Sequence, residues 1–304
     1  MTSLLSAVTG WLLFAALVTA VGSLAARWLV IPRASFETDT NLDDASEFLT
    51  GAAGRMGLLG ASLLPVAVGL VFIRQLLEFR DPFVPWTEDA SLLLGGTAWG
   101  RTWLGAAGAS VAAVIALGLV RWRARGAWFA STLIVIALAA FPALTGHASG
   151  ATELRSATVA ADTLHVLAAG TWMGGLGFVL YAERGWRVRS GGRSLLPSLV
   201  PAFSPIAIGS VATLVATGTL ASWIHLGGIG ALATTTYGRI LGLKLLLVLA
   251  VMVLGAVNWK RLTPRLGELT GQDALRRAAS RELLIAQLVL LVTAILVRTS
   301  PMDH

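Results

Sequence analysis

Four histidines, one aspartate and one lysine stand out chemically against a largely apolar chain. His147, His165, His225 and His304 can each offer an imidazole nitrogen to a metal ion, and because the sequence holds no cysteine, soft-metal chemistry must use His, Met, carboxylates or Trp. The same absence excludes disulfides and thiolate nucleophiles. Asp162 precedes His165 by three residues, a spacing that puts carboxylate and imidazole on neighbouring parts of one helix face. There the carboxylate either fixes the imidazole tautomer from behind a bound metal or ligates directly. The plainer alternative is a buried aspartate paired with a cation, for which Lys244 is the candidate. Trp172 follows His165 by seven residues, a return to nearly the same face two turns on, where its ring either offers a π-face to a cation or fills space beside glycines. Met173 points about 80° away from that face and is the weaker ligand. Ser210, Thr213 and Thr217 recur at helical spacing below His225, either as a polar stripe or as hydroxyls bonded to their own backbone.

Imidazole and carboxylate suit copper, zinc, iron or nickel, so ligand type alone does not name the metal. No H-E-x-x-H, Walker A, G-x-S-x-G or G-x-G-x-x-G motif occurs in a usable context, which leaves neither an ATP-driven pump nor a standard hydrolase to argue for. The chain reads as a non-enzyme.

The elements that position these residues are set by composition. Of 304 residues, 56% are hydrophobic and 13% charged, with a mean hydropathy of +0.76, which points to a bilayer as solvent. Crossing about 30 Å of hydrocarbon takes about 20 apolar residues as a helix. Eight stretches qualify, at 4–31, 54–78, 98–120, 127–147, 157–182, 199–225, 238–259 and 281–298. They are continuous Leu/Ala/Val/Gly runs without the alternation of barrel strands. The expected fold is therefore an all-α polytopic bundle, a single integral membrane domain over 1–304. The first stretch is too long for a signal-peptide core and reads as a retained span. Glycines 170, 174, 175 and 177 mark the fifth span as a closely packed central helix.

Orientation follows from the basic residues. Of 23 Lys and Arg, most lie in alternate connections around Arg27, Arg33 and Arg55, around Arg121 to Arg125, around Arg184 to Arg193, and around Lys260 to Arg281. Those connections are expected in the cytoplasm and both chain ends outside. The acids Glu37, Asp39, Asp43, Asp44 and Glu47 dilute this signal in the first connection. The net charge of +7 is distributed as topology charges rather than as a nucleic-acid footprint. The segment 78–96, with Phe79, Phe83 and Trp86, reads as an outer loop lying at the interface.

On this topology all four histidines face outward. His147 and His225 end their spans, and His165 lies about 12 Å below the start of its helix, where an ionisable side chain is costly and marks function by default. His147, His165 and His225 form the expected metal site, and His304 has no assigned role. Lys244, six residues into the seventh span, is expected to meet Asp162 in the bundle interior.

The segments T-G-H-A at 145–148, D-x-x-H at 162–165, W-M-G-G-L at 172–176, Y-G-R-I-L-G-L-K-L-L at 237–246 and N-W-K-R-L-T-P at 258–264, taken in order, resemble the membrane domain of the copper resistance protein D (CopD) family. The resemblance covers roughly residues 140–265. It implies an eight-helix bacterial inner-membrane protein of copper uptake or tolerance, with Cu+ or Cu2+ as the ion. It also implies a small periplasmic carrier of the CopC type as partner. His147 and His165 fall on the family's histidine motifs, and Asp162, Trp172, Arg239 and Lys244 on its other polar and aromatic positions. His225 matches only by its place at a helix end. Neither a fused carrier domain nor a Met/His-rich outer tail is expected. A second reading uses two of the same histidines to ligate a b-type haem. A third leaves them passive in an assembly partner.

Overall fold

A computed structural model describes residues 2–36, 42–146, 155–225 and 230–299. Among these there is no strand, and eight helices are long and apolar enough to cross a membrane. We number them α1 (Leu4–Arg33), α2 (Asp43–Phe79), α3 (Ala98–Arg121), α4 (Ala127–Thr145), α5 (Ser156–Arg189), α6 (Leu196–Ile224), α7 (Thr236–Arg265) and α8 (Leu269–Leu296). Helices satisfy every interior peptide group within one segment, which is what a chain so poor in polar side chains requires in hydrocarbon.

Three helices overrun their apolar stretches by seven residues or more at the arginine-rich end. α2 begins eleven residues before the expected 54, with Ala45, Leu49, Ala52 and Ala53 buried along one face. On its other side Asp44 takes Arg189 at 2.7 Å, and Glu47 pairs with Arg123. Two of the acids that dilute the charge count, Asp44 and Glu47, thus neutralise arginines at their own end of the bundle. α5 continues to Arg189 rather than 182, and Trp186 there meets Phe48 edge-on at 5.3 Å. α8 starts at Leu269 rather than 281, burying Gln272, Leu275 and Ala279. A hydropathy criterion detects the length in lipid, not the amphipathic turns beyond it.

The fourth span is two pieces rather than the continuous 127–147. An α-helix at Ala127–Ala139 gives way at Ala140 to a short helix, Phe141–Thr145. Pro142 opens the second piece, and its missing N–H and fixed φ suit a helix start but not an interior.

The core is organised by α1, which packs against α2, α4, α5 and α8. Its crossing with α5 is at backbone contact. A Cβ on Gly22 would stand 2.3 Å from the Gly174 backbone, and one on Gly174 would stand 2.1 Å from the Val18 carbonyl oxygen. This is the close packing expected of the fifth span. Its conformation there is nevertheless not α-helical, because Gly170–Gly174 forms a π-helical turn inside the helix. α6 packs chiefly on α5, and α7 on α8, and these two helices are the least buried of the eight.

Candidate metal centre

The π turn at Gly170–Gly174 divides α5 into two regions of different chemistry. Above it, at the end away from the arginine-rich connections, lie Asp162 and His165, both half-buried. Below it the helix carries apolar Leu176, Phe178 and Val179 and then Glu183.

His165 faces α6. Its Nδ1 lies 2.8 Å from Thr217 Oγ1. The Thr217 hydroxyl donates to the Thr213 carbonyl at 2.7 Å, so toward His165 its oxygen accepts and Nδ1 carries the hydrogen. A neutral imidazole held this way keeps the Nε2 lone pair, the arrangement that prepares a histidine to bind a metal. Gly218 lies beside the ring, where an added Cβ would make ordinary contact with Cε1 at 3.6 Å. Sequence spacing offers Asp162 as an orienting partner, a direct ligand or the partner of a cation. The structure brings Thr217 to the orienting role, and Ser210, Thr213 and Thr217 each also bond the carbonyl four residues back.

Asp162 is engaged with α7. Lys244, half-buried on that helix, feels the Asp162 carboxylate and acts in turn on His165, and Tyr237 feels Asp162 as well. The charges expected to meet are therefore close enough to interact. Arg239, two residues after Tyr237, is exposed and donates from Nε to the Ala233 carbonyl at 3.2 Å, on the short helix Ala231–Thr234. It caps local structure rather than joining Asp162 and His165. His147 and His304 lie outside the described residues, as does the side chain of His225, whose backbone ends the α-helix Leu196–His225. Among the described residues no three of His, Asp and Glu are grouped to hold a metal ion.

Trp172 and Met173 are buried within the π turn. The wider turn shifts the helical phase, so counting seven α-helical steps from His165 does not place Trp172. Its indole N–H donates to the carboxylate of Glu282, a residue of α8 that sequence reading passed over. Glu282 also accepts from Asn258 Nδ2 at 3.2 Å, and Asn258 opens a second π turn, Asn258–Leu262. The glutamate is 7% exposed. The sequence signal for it was present: the eighth stretch was begun at 281, and Glu282 is its sole acid.

A second missed acid, Glu183, is fully buried. It accepts from Ser194 Oγ at 2.9 Å, from the Leu195 amide at 2.7 Å and from Arg276 Nη1 at 2.8 Å. The last of these ties α5 to α8 at the arginine-rich end.

Residues 197–296 match the family described as copper resistance protein D. That segment holds Thr217, Tyr237, Lys244, Asn258 and Glu282, while Asp162, His165, Trp172 and Met173 precede it. The copper transport protein CutJ of Bacillus subtilis (strain 168) is 29% identical over 170 residues, covering 54% of this chain and 30% of CutJ. The chain thus spans less than a third of that relative's length. No solved structure matches it.

Proposed function

We propose, from the premise that this multi-pass membrane protein belongs to the copper resistance protein D family through residues 197–296, that it binds copper ions and carries them across a bacterial inner membrane as part of copper homeostasis. The observation that carries this reading is the bond from His165 Nδ1 to Thr217, which frees Nε2 for a metal. His147 and His225, the other two histidines expected from the sequence, are proposed to complete the ligand set, and Asp162 to offset the charge of the ion. The surplus of arginine in alternate connections puts this end outside, with both chain ends, so the histidines capture copper from the periplasmic side and uptake is the direction of travel. Trp172 and Met173 of α5, with Asn258 of α7 and Glu282 of α8, supply the inner half of the route with polar and polarisable groups. A CopC-type periplasmic carrier, which the family resemblance implies, is the proposed donor. Copper here is cargo, and the protein acts as a transporter rather than as an enzyme.

The test is copper analysis of purified protein beside His147→Ala, His165→Ala and His225→Ala. Stoichiometric copper in the wild type and its loss in His165→Ala are the expected results, and binding at wild-type affinity in His165→Ala overturns the assignment. Neither comparison names haem, and an absorption spectrum of the same sample separates the two readings, because a Soret band would replace the copper site with haem.

A further inference from the structure

Arg74 lies near the end of α2 and is only 5% exposed, yet its Nε has no hydrogen-bond partner among the described residues. It borders a cavity of about 260 Å³ between α1, α2, α3, α4 and α8. The charged side chains lining this cavity are Arg74 and Arg298. Glu78 reaches each of them only at 3.8 Å and stands outside the lining. The hydroxyls of Thr9 and Thr145, also on the wall, donate to their own backbone at Ser6 and Phe141. The Ser6 hydroxyl donates to Glu78 at 3.4 Å, and the charged donors toward the cavity are the two guanidiniums. Leu13, Phe14, Val71 and Phe141 add apolar wall, which lowers the local dielectric and strengthens any charge pairing made there.

We infer that this cavity binds a small oxyanion, a phosphate or a carboxylate, between Arg74 and Arg298. A guanidinium offers a planar fork of donors that matches such anions. A buried N–H left without an acceptor is costly, and an anion oxygen removes that cost. The volume suffices: a water molecule occupies about 30 Å³ of liquid, so an anion fits together with several waters. Thr145 and Gly146 on the wall immediately precede His147 in the chain. The anion site thus adjoins the segment that carries a proposed copper ligand, although its own case does not depend on copper.

The oxyanion has two possible sources, a free anion and the headgroup of an anionic lipid, and one experiment distinguishes them. Thermal unfolding of the purified full chain in neutral detergent is followed against inorganic phosphate, with chloride at equal ionic strength as reference. The wild type is expected to show a saturable upward shift that chloride does not give. Arg74→Gln should lose the shift, and Arg298→Gln should need at least about tenfold more phosphate, as loss of one charged hydrogen bond implies. Arg125→Gln, exposed in the α3–α4 connection, should behave as wild type. If Arg74→Gln does not fold, Arg298→Gln and Arg74→Lys decide. In phosphatidylcholine nanodiscs the phosphate shift should persist. Its disappearance when phosphatidylglycerol is added identifies the lipid headgroup as occupant of the same site. No saturable shift in the wild type, or the same shift in Arg74→Gln and Arg298→Gln, overturns the proposal.

Discussion

His165 Nδ1 and Thr217 Oγ1 lie 2.8 Å apart, and because the threonine hydrogen goes to the Thr213 carbonyl, the hydroxyl fixes which imidazole nitrogen is left to a metal. Thr217→Val keeps the shape of the side chain and removes the acceptor. Loss of such an outer partner lowers metal affinity by about 10–100-fold. Titration of purified protein against a competing copper chelator should show that loss in Thr217→Val and near wild-type affinity in Thr217→Ser. Unchanged affinity in the valine variant would show that the hydroxyl does not orient a copper ligand.

The α1–α5 crossing leaves no space for a methyl group. A Cβ at Gly22 meets the Gly174 backbone at 2.3 Å, whereas one at Gly242 on α7 meets nothing within 4 Å. Gly22→Ala must push apart two backbones that have no flexible end to yield, an overpacking cost of about 1–3 kcal/mol or more. Gly242→Ala should be neutral or slightly stabilising. Unfolding temperatures of the two variants in detergent make the comparison, and equal stability would mean the helices do not cross at these glycines.

Glu183 holds the arginine-rich end together with three donors to one buried carboxylate. Removing it strands Arg276 and the Leu195 amide, and breaking a buried pair from one side costs about 3–5 kcal/mol. Arg276 retains Asp273 and is 21% exposed, which moderates the loss toward the lower figure. Glu183→Ala should therefore unfold at a clearly lower temperature than Glu268→Ala on the exposed surface. Matching melting curves would be the contrary result.

The sequence revealed the eight spans because each is a long apolar run, and a bilayer demands that length whatever the side chains touch. It did not reveal the overruns of α2, α5 and α8, whose stability comes from pairs such as Arg189 with Asp44 that join residues far apart in the chain. Asp162 and Lys244 could be matched by depth, since both are charges that lipid rejects. Thr217 could be placed on a stripe but not in front of His165, because the rotation of α6 about its axis is set by packing on α5 rather than by its own pattern. Trp172 shows a different limit: counting α-helical steps fails across a π turn, and nothing in G-T-W-M-G announces one.

Glu282 separates hydrogen bonding from charge. Its partners, Asn258 and the Trp172 indole, are neutral donors, so a neutral acceptor of similar shape can replace the carboxylate. Glu282→Gln should keep the fold within about 1 kcal/mol, while Glu282→Leu leaves two buried donors unpaired at about 1–3 kcal/mol each. Thermal unfolding should rank wild type and Glu282→Gln together and Glu282→Leu well below. If leucine proves as stable as glutamine, the two donors are satisfied elsewhere.

Lys244 and Asp162 act with opposite sign on any cation at His165. The ammonium acts on the imidazole, and the Asp162 carboxylate draws the ammonium toward itself. Lys244→Met removes a positive charge and frees the carboxylate, so both effects favour a bound copper ion. Asp162→Asn does the reverse. Two unit charges about 4 Å apart interact by about 4 kcal/mol at an effective dielectric of about 20 and by less at longer range, so a change of about tenfold in affinity is the expectation. Chelator competition should give tighter copper binding in Lys244→Met, weaker binding in Asp162→Asn, and an intermediate value in the double variant. Slower release from Lys244→Met would follow, because a site that grips its ion more firmly passes it on less readily. Weaker equilibrium binding in Lys244→Met would instead place the lysine's role in holding the α5–α7 contact rather than in moderating the hold on copper.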